Sequence, residues 1–335
     1  MEKFEGLSKK YAEEGWLIPE ADLTFGRVLG RGASGTTYVG SLRGEEVAIK
    51  AYSVSILRDD SVSVKNEMDI MARVKHENIV AFRGLCLSMD PAAAALVTAF
   101  ATGGELGDAL YKKHSIRKGG DAARYKVAIG LARGLRFLHE NGLIHRDIKP
   151  ANVLLDANGE PLLTDFGFSR IVDVSGDMTG ETGSYLYMAP EVVRHTTYSA
   201  KADTFSYAIL VNEIFSDERP YGHLLPMHAA IGVVKKGLRP SQKRIHNPQL
   251  RALLAACWDV SPDKRPDWDT IISTLEELRD ASVTPDGKSS RRSIRASGRM
   301  QALGSGNTSG TSSSSSVSRL LRKLAVSGPT DAKRA

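Results

Sequence analysis

Apolar and polar positions change rhythm several times along this chain, and each change marks an element. Leu23, Phe25, Val28 and Leu29 alternate with their neighbours as a strand does. After Gly30-Arg31-Gly32-Ala33-Ser34-Gly35 a strand pattern returns and ends in Val47-Ala48-Ile49-Lys50. Residues 61–75 switch to helical spacing, with Val64, Met68 and Met71 on one stripe. Leu96-Val97-Thr98 predicts a buried strand, and Thr102-Gly103-Gly104 a turn into a short helix. Ala128, Leu131, Leu135 and Leu138 predict a helix over 121–140, stopped by Asn141-Gly142. A largely apolar helix opens at Asp203 and runs through Phe215, and a last helix is expected over 268–280. Residues 168–188 are polar, contain glycine and have no periodicity, and residues 1–22 are polar except for Trp16-Leu17-Ile18.

Composition narrows the class. With 335 residues, 41% of them hydrophobic, the chain can bury a sizeable core, as two domains or one bilobed unit. Its longest apolar runs, such as Ala92 to Val97, fall far short of the ~18 residues that span a bilayer. The start, Met1-Glu2-Lys3-Phe4-Glu5, lacks the regions of a signal peptide. Cys86 and Cys257 are too few and too far apart for a disulfide framework or a zinc cluster. A soluble, cytoplasmic protein is therefore expected.

The net charge of +6 raises the question of nucleic acid, but residues 285–335 alone carry +8 and residues 1–284 carry −2. The basicity belongs to the tail, and nucleic-acid binding is not expected. From about residue 284 the composition also changes: Ser312 to Ser316 is an unbroken serine run among glycines, and aromatic residues are absent. Such a segment cannot bury enough apolar surface to offset its ordering entropy, so a disordered tail is expected. Arg319-Leu320-Leu321-Arg322-Lys323-Leu324 could form a short basic amphipathic turn on an anionic membrane surface, though such a patch is more often an isolated piece of a disordered tail.

The chemistry is concentrated in His145-Arg146-Asp147-Ile148-Lys149-Pro150-Ala151-Asn152, followed thirteen residues later by Asp165-Phe166-Gly167. A carboxylate, an ammonium, an amide and a second carboxylate at short fixed spacing suit phosphoryl transfer. Asp147 can accept a proton from an attacking hydroxyl, Lys149 can offset charge on the moving group, and Asn152 with Asp165 supplies hard oxygen ligands for magnesium. The glycines at 30, 32 and 35 let backbone N–H groups approach phosphate oxygens; no helix pattern follows them, which speaks against a dinucleotide fold.

The octet resembles the catalytic loop of eukaryotic protein kinases. Asp165-Phe166-Gly167 is similar to their magnesium-binding motif, and Met188-Ala189-Pro190-Glu191 to the motif that closes their substrate-docking segment. The wording Gly183-Ser184-Tyr185-Leu186-Tyr187-Met188-Ala189-Pro190-Glu191, with Cys257-Trp258 and Lys264-Arg265-Pro266-Asp267-Trp268, is similar to the tyrosine-kinase-like group, most of whose members phosphorylate serine and threonine. Lys149 two residues after Asp147 also resembles serine/threonine kinases.

This resemblance covers residues 23–281 and implies an α+β, bilobed fold: a small sheet with one helix over 23–101, then a mainly helical lobe over 102–281. Residues 1–22 become an N-terminal extension and 282–335 the tail. ATP and Mg2+ are the implied cofactors, and proteins with Ser/Thr acceptors the implied partners. Lys50, held by Glu67, is implied to position the phosphates beneath Gly30, Gly32 and Gly35; Glu77 lies past the helix and is the poorer candidate. Thr37, Ala48 and Leu154 join the nucleotide site, Thr98 becomes the gatekeeper, and the main chain of Ala99 and Ala101 is expected to bond adenine. Asn152 and Asp165 hold the metal. Ser184 is expected beside Asp147 and Lys149, and Arg265 paired with Glu191 in the interior.

In the family it resembles, an arginine in the place of Arg146 marks kinases controlled by phosphorylation of the segment before Glu191, and the resemblance thereby nominates Thr179 or Thr182. Three positions depart from the family pattern: Thr37 for valine, Ala99 for a frequent glutamate, and Ala208 for glycine. A nucleotide-responsive scaffold without activity is the rival class, but Lys50, Asp147 and Asp165 are all present. A small-molecule phosphotransferase is the other rival, and such enzymes usually lack the docking segment.

Overall fold

A computed structural model describes residues 10–32, 35–53, 61–87, 94–166, 170–171, 184–222 and 224–283. Gly167, Thr179, Thr182 and the tail beyond Val283 lie outside the described residues. Five antiparallel strands form the small lobe: β1 (Leu23–Gly32), β2 (Gly35–Leu42), β3 (Glu45–Tyr52), β4 (Phe82–Leu87) and β5 (Ala94–Ala99). Their spatial order is β1-β2-β3-β5-β4. The β1–β2 pairing is irregular between Phe25 and Gly30, where Val28 and Leu29 stand exposed.

The two-residue period of β3 divides its side chains between the faces of the sheet. Val47, Ile49 and Ala51 pack with Leu23, Cys86, Ala95 and Val97 on one face. Tyr52 belongs to the cluster on the other face, with Val64, Met68 and Met71 of the helix α1 (Ser61–Arg73). The helix ends two residues before its expected limit, and the chain then crosses to the large lobe. There Val80 N–H donates to the Leu163 carbonyl (3.0 Å), and Leu163 N–H donates to Asn78 (2.9 Å).

Residues 10–18 are far more than an isolated apolar island. The Trp16 ring packs on Phe82 with centroids 4.9 Å apart. Leu85 N–H donates to Trp16 and Ile18 N–H to Leu85, which covers the outer edge of β4.

The large lobe contains α2 (Leu106–Tyr111), α3 (Gly120–Glu140), α4 (Lys201–Ser216), α5 (Pro226–Lys236), α6 (Pro248–Cys257) and α7 (Trp268–Val283). Every residue of α4 from Ala202 to Ser216 is buried, the polar Asp203, Asn212 and Glu213 included, and Ala208 fits there fully enclosed. At the start of α6, Asn247 Oδ1 accepts from the Gln249 and Leu250 amides and Pro248 fills the first position. Short strands carry the rest: β6 (Gly104–Glu105), β7 (Leu143–Ile144), β8 (Val153–Leu155), β9 (Pro161–Leu163) and β10 (Arg170–Ile171). The loop between β7 and β8 holds the octet, and β9 leads into Asp165. The bilobed α+β architecture is as the sequence implies.

Candidate active site

Asp147 lies at the centre of the large-lobe half of the site, nearly buried. Its Oδ1 accepts the Ser184 hydroxyl at 2.8 Å, and its Oδ2 accepts Asn152 Nδ2 at 2.7 Å. Lys149 Nζ stands 2.7 Å from the same Oδ2 and donates to Ser184 Oγ at 3.1 Å. Asn152 Nδ2 also donates to the Asp147 carbonyl. Four residues separated by as many as 37 positions thus share one hydrogen-bonded cluster, and Ser184 sits beside both Asp147 and Lys149 as expected.

A second carboxylate holds this loop in place. Asp203, in the first turn of α4, accepts the main-chain N–H of His145 (2.8 Å) and of Arg146 (2.9 Å). His139 Nε2 meets the same carboxylate at 2.8 Å, while Trp268 Nε1 donates to His139 Nδ1 at 2.7 Å. Burial works against the Asp203 charge, yet the bonds from His139 and the loop outweigh it and hold the carboxyl below its usual range. The anchoring is needed because Arg146 and Asp165 adopt positive φ, 73° and 62°, which costs energy for residues with a Cβ. The His145 ring, 5.2 Å from that of the buried Phe166, links the two strained positions.

The small-lobe half is built from β3 and α1. Lys50 Nζ bonds Glu67 Oε1 at 2.7 Å and Oε2 at 2.9 Å, and lies 3.4 Å from Asp165 Oδ1. Burial opposes the ammonium, but the charges of Glu67 and Asp165 prevail and raise its pKa. Glu77 is exposed and remote from this pair, 3.8 Å from Arg133. Thr37 pairs with Lys50 on one side and Gly30 on the other. Ala48 faces the buried Thr98 across β3 and β5.

The hinge follows directly: Ala99 N–H donates to Ala81, and the Ala101 carbonyl accepts from Gly104. Leu154 is half-buried on β8 opposite Leu162. Among the glycines, Gly35 is demanded by the fold, since a Cβ there would stand 2.5 Å from the Ala51 carbonyl oxygen. At Gly30 and Gly32 a Cβ would meet no atom of the described residues within 4 Å, so packing among those residues does not require glycine there.

The Arg265–Glu191 pair is present and bidentate, at 2.5 and 2.8 Å, and both residues are buried. Sequence reasoning missed Asp203, His139, Trp268 and Glu213. Glu213 of α4 accepts hydroxyls from Tyr111 and from Tyr187 of the docking segment, and burial pushes its carboxyl up to about 7. The available signal was two acidic residues inside a largely apolar helix.

Among the described residues no three His, Cys, Asp or Glu side chains gather into a metal cage, and no helix is long and apolar enough to cross a membrane. The family model "Protein tyrosine and serine/threonine kinase" matches residues 23–275. The serine/threonine-protein kinase STY46 of Arabidopsis thaliana is 39% identical over 279 residues, 83% of this chain and 48% of that protein. The serine/threonine-protein kinase VIK of the same plant is 35% identical over 79% of this chain and 62% of its own length. Human serine/threonine-protein kinase TNNI3K is 32% identical over 77% of this chain and 31% of its own. The chain therefore spans about half the length of the first of these relatives. With the match running from β1 to α7 and the motifs assembled in one cleft, the chain belongs to the protein tyrosine and serine/threonine kinase family.

Proposed function

We propose that this chain is a serine/threonine protein kinase, transferring the γ-phosphoryl group of ATP to protein hydroxyls in cytoplasmic signalling. The observation that carries the reading is the meeting of Lys50, Glu67 and Asp165 at one edge of the cleft, with Asp147, Lys149 and Asn152 on the large-lobe side. Lys50, held by Glu67, would hold the α- and β-phosphates, and the amides around Gly30, Gly32 and Gly35 would bond their oxygens. Thr37, Ala48, Thr98 and Leu154 would enclose the base, and the main chain of Ala99 and Ala101 would bond it. Asp147 orients the acceptor hydroxyl and takes its proton, with Lys149 beside it.

The donor set fits Mg2+. Asn152 Nδ2 is committed to Asp147, so its amide oxygen is the atom left for a cation, together with the partly exposed Asp165 carboxylate. Two hard oxygens suit an ion that keeps several waters and takes the rest of its shell from phosphate. When bound, the ion supplies neutralisation of phosphate charge. The kinase domain is taken as 23–281, and Thr179 or Thr182 as the regulatory phosphosite. Partners are Ser/Thr-containing proteins rather than nucleic acid.

The test is incubation with labelled ATP, Mg2+ and a generic basic protein, followed by phosphoamino-acid analysis. Label on serine and threonine that disappears in Lys50→Met and Asp147→Asn supports the reading. ATP binding without transfer would favour the scaffold class, and label on a small molecule alone the phosphotransferase.

A further inference from the structure

Two carboxylates project from α1 two residues apart, and each takes a bond from a phenol. Tyr52 follows Lys50 by two residues on β3, so both side chains leave the strand toward α1. The Tyr52 hydroxyl donates to Glu67 Oε2 at 2.9 Å, beside the two bonds from Lys50. On another side of the helix, since residues two apart do not share a face, Tyr11 donates to Asp69 Oδ1 at 2.7 Å. Lys10 Nζ reaches the same oxygen at 2.7 Å. Both tyrosines are fully buried. Burial, reinforced by the neighbouring carboxylates, pushes both phenols up, so they remain donors.

We propose that Tyr52 and Tyr11 are positioning residues for phosphoryl transfer, whose hydroxyls hold α1 from the sheet and from the N-terminal segment and so keep Glu67 on Lys50. The inference rests on the roles read above for Lys50 and Glu67. Movement of α1 away from the sheet would break the bond from the buried Tyr52 hydroxyl to Glu67, a bond strengthened by its charged acceptor. Each phenol–carboxylate bond, having a charged acceptor, biases the helix toward its docked position by about tenfold or more. The carboxylates are different, so the two biases multiply. Residues 10–18 then belong to the catalytic unit, because their docking on β4 brings Tyr11 to Asp69.

Hydrogen exchange of the α1 amides in the full chain reads this directly. Y52F and Y11F keep the rings and remove only the hydroxyls. Each is expected to accelerate exchange in α1 about tenfold and the double variant about a hundredfold. Amides of α3 and α4 should be unaffected. Turnover should fall with the docked population while the KM for peptide stays unchanged, since both phenols are fully buried. In an E67A background Y52F should add nothing.

Unchanged α1 exchange in Y52F overturns the proposal. So does equal acceleration in α3 and α4, which would make the hydroxyls general supports of the fold. Should Y11F fail to fold, D69A removes the same bond at its acceptor, together with the Lys10 contact. Phosphotransfer surviving in Lys50→Met would instead sink the underlying site reading, whatever the exchange data show.

Discussion

In the large lobe, Asp147 takes bonds from Ser184, Asn152 and Lys149, and its loop is tied through two main-chain amides to Asp203. In the small lobe, Glu67 rides on a helix and reaches Lys50 on a strand, with Tyr52 as its further donor. The first arrangement is fixed by one lobe's interior and is preorganised before any ligand arrives. The second depends on two elements staying in register. A buried ion pair therefore means different things in the two places. Glu191–Arg265 is locked by packing, whereas Lys50–Glu67 can part if α1 moves and water reaches the carboxylate.

The largest expected effect tests the fixed half. Asp147→Asn and Asp165→Asn should each lower turnover by about 10²–10⁴-fold, with thermal unfolding close to wild type, because an amide neither takes the proton nor holds the cation well. Asp165→Asn should also weaken Mg-ATP binding in a titration, and Asp147→Asn should not. Near-normal turnover in either would remove the contrast at its root.

Next comes a direct comparison of the two ion pairs by urea unfolding. Glu191→Ala leaves the enclosed Arg265 guanidinium without its partner and should cost about 3–5 kcal/mol. Lys50→Met should cost about 1–2 kcal/mol, since α1 can shift to hydrate Glu67, while activity is lost. Equal costs would mean that α1 is as fixed as the interior of the large lobe.

A pH series sharpens the point on the rigid side. The Glu213 carboxyl is raised from 4.5 to about 7 in the folded protein. The folded state thus binds this proton more tightly, so the stability it contributes is complete below 4.5 and is lost as pH rises through about 7. The loss is roughly 3 kcal/mol for a fully buried group. Glu213→Gln should flatten the fall in unfolding free energy between pH 5 and pH 8; an unchanged slope would assign the dependence elsewhere. The smallest effect is expected at Thr37→Val, where removing a hydroxyl beside the base should lower the KM for ATP by less than about tenfold.

Much of the site was legible because its chemistry is local. Asp147, Lys149 and Asn152 lie within six residues, and Glu67 stands beside a clear helical stripe. The supports were not legible, because they join distant positions that leave no periodic trace. Trp268 and His139 are 129 residues apart, and Asp203 reaches back 58 residues to the His145 amide. Tyr52 reads as an ordinary core aromatic until the α1 face of β3 is seen. Trp16-Leu17-Ile18 looked isolated because its partners, Phe82 and Leu85, lie more than sixty residues downstream.

Strand order in the small lobe also sets an order in time. β1, β2 and β3 follow one another as hairpins and can pair as soon as each is made. The other edge of β3 is taken by β5 and not by β4, so it stays open until residue 99 has left the ribosome. Through that interval the strand bearing Lys50 presents unpaired main-chain groups, the kind of edge that invites wrong partners. A chain cut anywhere before β5 would keep that edge permanently, and its natural fate is aggregation rather than a stable half-lobe.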